Sequence, residues 1–279
     1  MSETYGAAIA AAAAMLADAG VPSAERDAEL LMRWAAKATP EAFSLMRGEV
    51  VAPEATPRFE AAVAQRMSRE PVSHITGERL FWGRTFKVTP DVLDPRPESE
   101  TMIAAALDGP GPERVLDLGV GSGCLLGTVL AERPEASGLG LDASRKALRI
   151  ADENIKALGL GDRATLRMGD WVDGLEEGFN LILCNPPYIA EEEVASLAPE
   201  VREHEPRLAL TPGGDGMDPY RRIAPELAFC LRRKGRALFE IGPTQAEGVS
   251  AIFASFGWPD PIVHKDMDGR DRCLEFRRK

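Results

Sequence analysis

Two patterns of apolar residues divide this chain. Over residues 1–73 the apolar positions recur at helical spacing, which predicts helices over residues 5–19, 24–36, 41–45 and 57–69. Turn residues separate these helices, and Ser23 is the expected N-cap of the second. From residue 113 onward, short apolar runs alternate with helical stretches, which predicts a mostly parallel sheet with helices on both faces.

A different pattern joins the two regions. Residues 78–90 alternate between apolar and polar side chains and predict a β-hairpin with its turn at residues 82–85. Near the C-terminus three strands are expected, and the short connection between the last two makes them antiparallel. These strands are residues 236–241, 261–265 and 272–277. We therefore expect an α/β fold organised as an N-terminal helical domain (1–73), a linker with a β-hairpin (74–100) and a doubly wound α/β domain (101–279).

Composition and charge narrow the function classes. The 279 residues are 44% hydrophobic and 28% charged, as in an ordinary globular protein. The net charge of −11 argues against an extended phosphate-binding surface, although it stays compatible with a local basic patch. Residues 1–73 carry seven Lys or Arg side chains against ten Asp or Glu side chains, which is not the charge of a nucleic-acid-binding module.

The N-terminal apolar run, Ala7 to Leu16, invites comparison with a secretory signal. Glu3 precedes it and the first basic residue is Arg26, so we interpret it as a core-facing helix. No stretch approaches the roughly 20 apolar residues of a membrane span. The four cysteines lie far apart and mostly in apolar runs, which predicts reduced core thiols in a cytoplasmic protein. They form no metal-binding spacing with the three histidines, so no metal site is expected.

A glycine-rich turn follows the first apolar run of the sheet region. Gly119, Gly121 and Gly123 form G-x-G-x-G, which differs from the G-x-G-x-x-G of dinucleotide-binding proteins. A second short strand ends at Asp142, roughly 20 residues further on, where a carboxylate can bind both hydroxyls of a ribose. A third run leads to Asp170-Trp171, where a carboxylate can accept from an adenine amino group and an indole can flank its ring.

The tetrapeptide Asn185-Pro186-Pro187-Tyr188 lies directly behind the apolar run 179–184. Its two prolines lack backbone donors, so the carbonyl of Pro186 and the side chain of Asn185 offer acceptors at a strand end. Tyr188 offers a flat face for stacking. Such a slot suits a planar NH2 group, as in a carboxamide or on adenine or guanine. A simple proline-rich turn is the structural alternative.

Taken in order, these motifs resemble those of S-adenosylmethionine-dependent methyltransferases of the Rossmann-like class I. Most of the chain resembles the release-factor glutamine N5-methyltransferase family, the HemK type. The matching blocks are residues 69–72, 77–83, 86–88, 93–100, 117–123, 185–188, 205–210 and 213–216. Departures are mild: Asp94 replaces a common apolar residue, and Ser99 and Val120 replace frequent threonines.

The resemblance implies a seven-stranded methyltransferase domain, mostly parallel with an antiparallel C-terminal edge. It implies that S-adenosyl-L-methionine is the cofactor and that peptide chain release factors are the partners, docked by the helical domain. The implied cofactor-binding residues are Gly119, Val120, Gly121, Ser122, Gly123, Asp142, Asp170, Trp171 and Asn185. Asn185, Pro186 and Tyr188 are the implied catalytic residues, and Asn185, Pro186, Pro187 and Tyr188 the implied substrate-binding residues. No membrane and no direct nucleic-acid binding is expected.

Three other functions fit parts of the same pattern. The slot equally suits an enzyme that methylates the amino groups of adenine or guanine in RNA or DNA, against which the acidic charge argues. A glutamine methyltransferase of a ribosomal protein is a second alternative, and residues 95–98 resemble the release-factor group more closely. A non-catalytic cofactor-binding protein is a third, and the intact tetrapeptide argues against it. Arg96 and Glu98 either line the site or form ion pairs; the sequence leaves both open.

Overall fold

The computed structural model describes residues 3–175 and 178–279. Its α-helices, in chain order, are α1 (Tyr5–Asp18), α2 (Ala24–Ala35), α3 (Pro40–Met46), α4 (Thr56–Met67), α5 (Val72–Thr76), α6 (Glu100–Leu107), α7 (Cys124–Glu132), α8 (Arg145–Ala157), α9 (Pro199–His204), α10 (Arg207–Leu210), α11 (Asp218–Ile223), α12 (Leu227–Cys230) and α13 (Ala246–Ser255). Its strands are β1 (Glu78–Phe81), β2 (Arg84–Lys87), β3 (Arg114–Leu118), β4 (Ser137–Asp142), β5 (Ala164–Met168), β6 (Phe179–Cys184), β7 (Leu231–Glu240), β8 (Ile262–Lys265) and β9 (Asp271–Arg277).

The chain divides into two compact units. The first contains Met1–Gly77 together with Ala198–His204, and the second contains the remainder. The sequence placed the first boundary at residue 73, but α5 runs across that position and ends before Gly77, whose left-handed φ of 76° closes the helix. The inclusion of Ala198–His204 in the first unit was not expected, and the functional boundary at residue 73 stays a prediction.

The first unit is built from α1 to α5 and α9. The four helices expected there are present, and their ends differ from the expected ones by no more than two residues. The alanine-rich α1 buries one face against α2 and α4, where Leu16 and Leu31 are fully buried. The expectation that Ser23 caps α2 is only half right, because it occupies the N-cap position without a side-chain hydrogen bond.

Helix α9 is held inside the first unit by a partly buried charge network. Glu200 accepts hydrogen bonds from Arg66 Nη2 at 2.9 Å and from Arg69 Nη2 at 2.7 Å. The Nε of Arg66 also binds Asp27 at 2.8 Å, and Arg66 itself is buried. Two arginines of α4 and its C-terminal end therefore fix a short helix that is distant in sequence.

The second unit carries a seven-stranded sheet in the order β5-β4-β3-β6-β7-β9-β8. All neighbouring strands are parallel except where β9 meets β7 and β8. This arrangement confirms the expected fold, including its antiparallel C-terminal edge. Two clusters of buried side chains cover the two faces of the sheet, so the central strands β3 and β6 are apolar throughout most of their length.

The hairpin of β1 and β2 differs from the expectation in its turn. Only Trp82 and Gly83 form the turn, with φ values of 49° and 72°, because Arg84 and Thr85 already pair with Phe81 and Leu80. A two-residue turn with both φ values positive matches the twist of the flanking strands, and this explains why the expected four-residue turn was too long.

The parallel strands bring their carboxyl ends to one edge of the sheet. Gly119 follows β3, Asp142 ends β4, Asn185 follows β6 and Glu240 ends β7. In open sheets of this kind, ligands bind outside the carboxyl ends of the strands where the strand order reverses. Here the reversal lies between β3 and β6.

Candidate active site

A cavity of about 330 Å³ lies at this edge, within the second unit. Its volume falls in the range of small-molecule sites, roughly 300–1,000 Å³. It brings together most residues that the sequence singled out: Gly119, Val120, Gly121, Ser122, Asp142, Asp170, Trp171, Asn185 and Pro187. Gly123, Pro186 and Tyr188 are not part of its lining.

The glycine turn shapes one wall of the cavity. Gly119, Gly121 and Gly123 all have positive φ, between 53° and 79°, so residues with a side chain would be strained there. The N–H groups of Gly119 and Val120 both donate to the carbonyl of Leu141. A Cβ on Gly123 would lie 3.3 Å from Ala151 of α8. Gly123 thus serves the packing of the turn against α8, while the turn's first residues face the cavity.

Asp142 is held at the end of β4 by two backbone donors. Its Oδ2 accepts from Gly121 N at 2.9 Å and its Oδ1 from Ser144 N at 2.8 Å. Burial raises the pKa of Asp142, and these two hydrogen bonds oppose that rise. Each carboxylate oxygen keeps a further lone pair for a ligand hydroxyl. The geometry therefore fits the expected ribose contact.

Asp170 and Trp171 both line the cavity, but Asp170 is paired with an arginine whereas Trp171 lies next to the glycine turn. The Asp170 side chain is exposed and binds Arg222 through both oxygens, at 3.0 and 2.9 Å. Arg222 also binds Asp173. Trp171 has a left-handed φ of 56°, and its indole lies next to the glycine turn at Gly119. Trp171 is thus placed to flank a ring, whereas an adenine bound by Asp170 would share the carboxylate with Arg222.

The side chain of Asn185 lines the cavity with its amide in one defined orientation. Its Nδ2 donates to Ser99 Oγ at 3.3 Å, which leaves its Oδ1 as the acceptor available to a ligand. Its backbone carbonyl lies beside Gly119. Pro187 lines the cavity, whereas Pro186 is buried. The expected acceptor slot is therefore represented in the cavity by Asn185, and the role of Pro186 stays a prediction.

Tyr188 is directed away from the cavity. Its hydroxyl donates to Glu240 Oε1 at 3.3 Å, and its carbonyl accepts from Gln245 Nε2 at 2.8 Å. A Cβ on Gly216 would lie 2.2 Å from that carbonyl oxygen, so Gly216 allows a close approach of the two backbones. These contacts fix the chain after the two prolines. The expected stacking role of Tyr188 stays a prediction.

Ser99 and Glu240 were missed by the sequence reasoning. Ser99 is 3% exposed and accepts from Asn185, while Glu240 is 1% exposed and accepts from Tyr188. The signal for Glu240 was available, because a carboxylate that ends an apolar strand at the same edge is what marked Asp142. For Ser99, which lies directly before α6, the signal was the hydroxyl that it shares with the threonine frequent at this position of the family that the chain resembles.

Arg96 has both roles that the sequence left open, since it lines the site and forms an ion pair. It lines the cavity, and its Nη2 binds both carboxylate oxygens of the buried Glu205 at 2.7 and 2.8 Å. Burial raises the pKa of Glu205 to about 7, although the charge of Arg96 lowers it. The ion pair joins two wall segments, residues 90–99 and 206–209.

Two further buried carboxylates lie behind the strand ends. Burial raises the pKa of Asp117 to about 7, and its Oδ2 accepts from Leu126 N at the start of α7. Burial also raises the pKa of Glu240 to about 7, while the Ser99 hydroxyl and the charge of Arg272 lower it. Neither residue lines the cavity. They are placed to hold the glycine turn and the tetrapeptide, respectively.

The donor set fits S-adenosyl-L-methionine. A glycine turn admits a ligand close to the backbone, a carboxylate with free lone pairs suits a ribose, and an indole lies where a base could stack. Among residues 3–175 and 178–279, no group of three or more His, Cys, Asp or Glu side chains is arranged to hold a metal ion. Within the same residues, no helix has both the length and the apolar character needed to cross a membrane.

Comparisons with known proteins place the chain among its relatives. Residues 7–77 match the PrmC N-terminal domain, and residues 98–215 match the methyltransferase small domain. A release factor glutamine methyltransferase of Cereibacter sphaeroides is 50% identical over 270 residues, 97% of each chain. One of Rhodospirillum rubrum is 43% identical over 94% of this chain and 81% of its own.

Solved structures resemble the chain in fold alone. The catalytic domain of hMettl16, solved in complex with a 3′UTR hairpin, has a TM-score of 0.57 and 17% identity over 83% of this chain and 84% of its own. A methyltransferase from Pyrococcus furiosus has a TM-score of 0.52 and 14% identity over 78% of this chain and 96% of its own.

Proposed function

The chain belongs to the release factor glutamine methyltransferase family, and from this membership we propose what it acts on. It is an S-adenosyl-L-methionine-dependent protein-(glutamine-N5) methyltransferase. It methylates the side-chain amide nitrogen of the glutamine in the Gly-Gly-Gln motif of peptide chain release factors. It thereby acts on the machinery of translation termination, and the cytoplasmic location expected from the sequence is part of the proposal.

Family membership carries the choice of substrate, and the orientation of Asn185 carries the proposed chemistry. A carboxamide nitrogen is a poor nucleophile, because its lone pair is delocalised into the carbonyl. With Nδ2 engaged by Ser99, the Oδ1 of Asn185 accepts a hydrogen from the substrate NH2 and holds that nitrogen in place. The same acceptor stabilises the positive charge that develops on the nitrogen.

The reaction asks little acid–base chemistry of the protein. S-adenosyl-L-methionine, when bound, supplies an electrophilic methyl group on a sulfonium. The glycine turn and Asp142 orient it, and Asn185 aligns the attacking nitrogen. The bond between the methyl carbon and the sulfur would break as the N–C bond forms, and the nitrogen would then lose one proton to solvent. The protein's contribution is thus alignment and charge stabilisation.

The first unit supports a protein substrate. It matches the PrmC N-terminal domain, and its charge does not suit nucleic acid. Docking of a release factor on a surface remote from the chemistry supplies binding energy that orders the target loop. The two glycines of that loop allow it to extend into a narrow site.

The direct test is methylation of a purified release factor followed by mass spectrometry. We expect one added methyl group on the glutamine of the Gly-Gly-Gln motif and none on a factor whose glutamine is replaced by glutamate. Asn185→Ala should lower turnover by about 10²-fold or more, by analogy with the loss of one preorganised polar contact, and leave cofactor affinity within a few-fold.

Asn180→Ala is the matched control, since Asn180 lies in β6, the strand that Asn185 follows, and its side chain accepts from Arg114 N. It should turn over normally. Preferential labelling of RNA, or of a ribosomal protein, would overturn the proposed substrate. Normal turnover by Asn185→Ala would overturn the acceptor model while leaving the substrate assignment intact.

A further inference from the structure

Asn185 can serve as an acceptor only in one of its two orientations. Turning its amide over exchanges Oδ1 and Nδ2 with almost no change in shape. The substrate nitrogen carries only hydrogens to donate, so a flipped Asn185 would present donors to donors. Some neighbouring group must therefore select the correct orientation.

Ser99 contacts Asn185 but cannot make the selection unaided. Its hydroxyl has one hydrogen to donate and two lone pairs to accept with. It accepts from Asn185 Nδ2 at 3.3 Å, yet a rotated hydroxyl would donate equally well to Asn185 Oδ1. The orientation of Asn185 is fixed only if the Ser99 hydrogen is engaged elsewhere.

Glu240 is the acceptor that can engage the hydrogen of the Ser99 hydroxyl. Its Oε1 accepts from the Tyr188 hydroxyl, whereas its Oε2 is buried and has no protein donor in regular hydrogen-bond geometry among the described residues. A buried carboxylate oxygen without a donor is costly, which calls for a partner. Oε2 is thus the acceptor left open beside the tetrapeptide, and the Ser99 hydroxyl lies close enough to Glu240 to lower the pKa of that carboxyl, so we assign the Ser99 hydrogen to Oε2.

We propose that Ser99 and Glu240 are positioning residues that fix the orientation of the Asn185 amide. The ionised Glu240 takes the hydrogen of Ser99, Ser99 is left to accept from Asn185 Nδ2, and Asn185 Oδ1 is left to accept from the substrate. The inference deepens the proposed function and rests on it for the substrate, but the relay itself lies within the free protein.

Glu240 is also held against movement. Its carbonyl accepts from the Tyr220 hydroxyl at 2.7 Å, and Glu240 lies at the end of β7, next to β6, the strand that Asn185 follows. Because Tyr188 donates to the same carboxylate, one buried group orients both ends of the tetrapeptide. Removing that group should disturb Asn185 and Tyr188 together.

The relay works only when Glu240 is ionised. A protonated Glu240 would donate from Oε2 to Ser99, which would free the Ser99 hydrogen to turn toward Asn185 Oδ1 and reverse the amide. Arg272 favours the ionised form and Glu98 disfavours it. Among the residues that the structure describes, further titratable groups that interact with Glu240 are Tyr188, Tyr220, Cys124, Cys184 and Cys273. Burial raises the pKa of Glu240 to about 7, so turnover should rise with pH through that value.

The kinetic test uses Ser99→Ala, Ser99→Thr and Glu240→Gln on a release factor. Ser99→Ala should lower kcat roughly 10-fold to 100-fold, as loss of an outer orienting partner does, with cofactor affinity within about twofold. Ser99→Thr retains the hydroxyl and should keep kcat within about threefold. Glu240→Gln should have a low kcat that does not rise with pH near 7.

Glu275→Gln is the matched control. Glu275 is another buried carboxylate, it pairs with His264 and Arg277, and its replacement should leave the rise of kcat near pH 7 in place.

A second readout does not depend on any substrate. In ¹⁵N-labelled protein, the side-chain NH2 signals of Asn185, assigned by comparison with Asn185→Asp, should shift with pH with a midpoint near 7. This titration should disappear in Ser99→Ala and Glu240→Gln and persist in Glu275→Gln. Burial also raises the pKa of Asp117 and of Glu205 to about 7, so a titration that persists unchanged in both Ser99→Ala and Glu240→Gln would come from one of these carboxylates and would overturn the relay, as would wild-type kcat in Ser99→Ala. Absence of turnover by the wild-type protein would instead overturn the proposed function, and the NMR titration would still decide the relay.

Discussion

Asp142 combines a proposed cofactor contact with a structural role in the glycine turn. The carboxylate that we propose binds the ribose also accepts from the N–H groups of Gly121 and Ser144. Its removal therefore has two consequences, the loss of ligand contacts and the release of two backbone donors. Both act on cofactor binding.

We expect Asp142→Ala to weaken cofactor binding by at least about 2 kcal/mol, the value of one charge-assisted hydrogen bond. Asp142→Asn keeps one oxygen acceptor and should lose less. Titration calorimetry with S-adenosyl-L-methionine measures both. Equal affinity of Asp142→Ala and the wild-type protein would show that the ribose is bound elsewhere.

Asp170 can be tested against a neighbour that shares its partner. Arg222 binds both Asp170 and Asp173, but only Asp170 lines the cavity. Asp170→Ala should weaken cofactor binding by roughly 10-fold, the effect of one hydrogen bond to a charged group. Asp173→Ala should leave affinity unchanged. If the two variants have the same cofactor affinity in calorimetry, Asp170 makes no contact of its own with the cofactor and the adenine contact is excluded.

At the scale of single residues, the sequence indicated which side chains belong to the site but not how they are oriented. Asp142 and Asn185 were identifiable because polar residues at the ends of apolar strands meet at one edge of a sheet. The orientation of Asn185 depends on Ser99, which is far away in sequence, and no local pattern joins the two. The partner of Asp170 was hidden for the same reason, since Arg222 belongs to a distant helix, α11.

Among the elements, α9 shows how a short helix is fixed by charge. Helices of six residues do not persist by themselves, because too few hydrogen bonds offset the cost of nucleation. Glu200 provides the missing stabilisation through Arg66 and Arg69. Burial alone would raise its pKa, but hydrogen bonds from Arg69 and Arg66 lower it to about 2.

We expect Glu200→Gln to lower the free energy of unfolding by on the order of 1 kcal/mol at neutral pH, after allowance for solvent screening. A lowered carboxylate pKa stabilises the folded state above its unfolded value, 4.5, and this stabilisation is lost as pH falls toward 2. Urea unfolding should therefore show a difference at pH 6 that shrinks at pH 3. Glu203→Gln, in the same helix but exposed and paired with Arg202, should differ little from the wild-type protein at either pH. A pH-independent effect of Glu200→Gln would exclude the charge as its cause.

The strands and helices themselves were largely predictable. Strong periodicity identified the helices of the first unit and the parallel strands of the second. The hairpin turn was too long in the prediction because Arg84 and Thr85 are polar, whereas the backbone twist requires only Trp82 and Gly83. The early start of β7 at Leu231 was missed because polar residues, Arg232 to Lys234, interrupt its apolar run. Side-chain polarity predicted burial better than it predicted strand ends.

For the whole molecule, the second unit carries all residues that line the cavity. Deleting residues 1–77 should therefore leave cofactor affinity within a few-fold. Methylation of an intact release factor should fall by at least about 10-fold, because the proposed docking energy is lost. Calorimetry and a methylation assay separate the two effects. Undiminished methylation of the factor by the truncated protein would refute the docking role of the first unit.

The path of the chain between its two units limits which segments can be exchanged between relatives. The polypeptide leaves the first unit after Gly77, returns to it after Leu197 and leaves it again after His204. Exchanging only the segment 1–77 with that of a relative would present Glu200 with arginines from a foreign sequence, or with none. Recombination at a single breakpoint therefore breaks a charge network that a double exchange would preserve. Segments 1–77 and 198–204 belong to one unit, and exchanges between relatives should give a stable protein only when both segments come from the same relative.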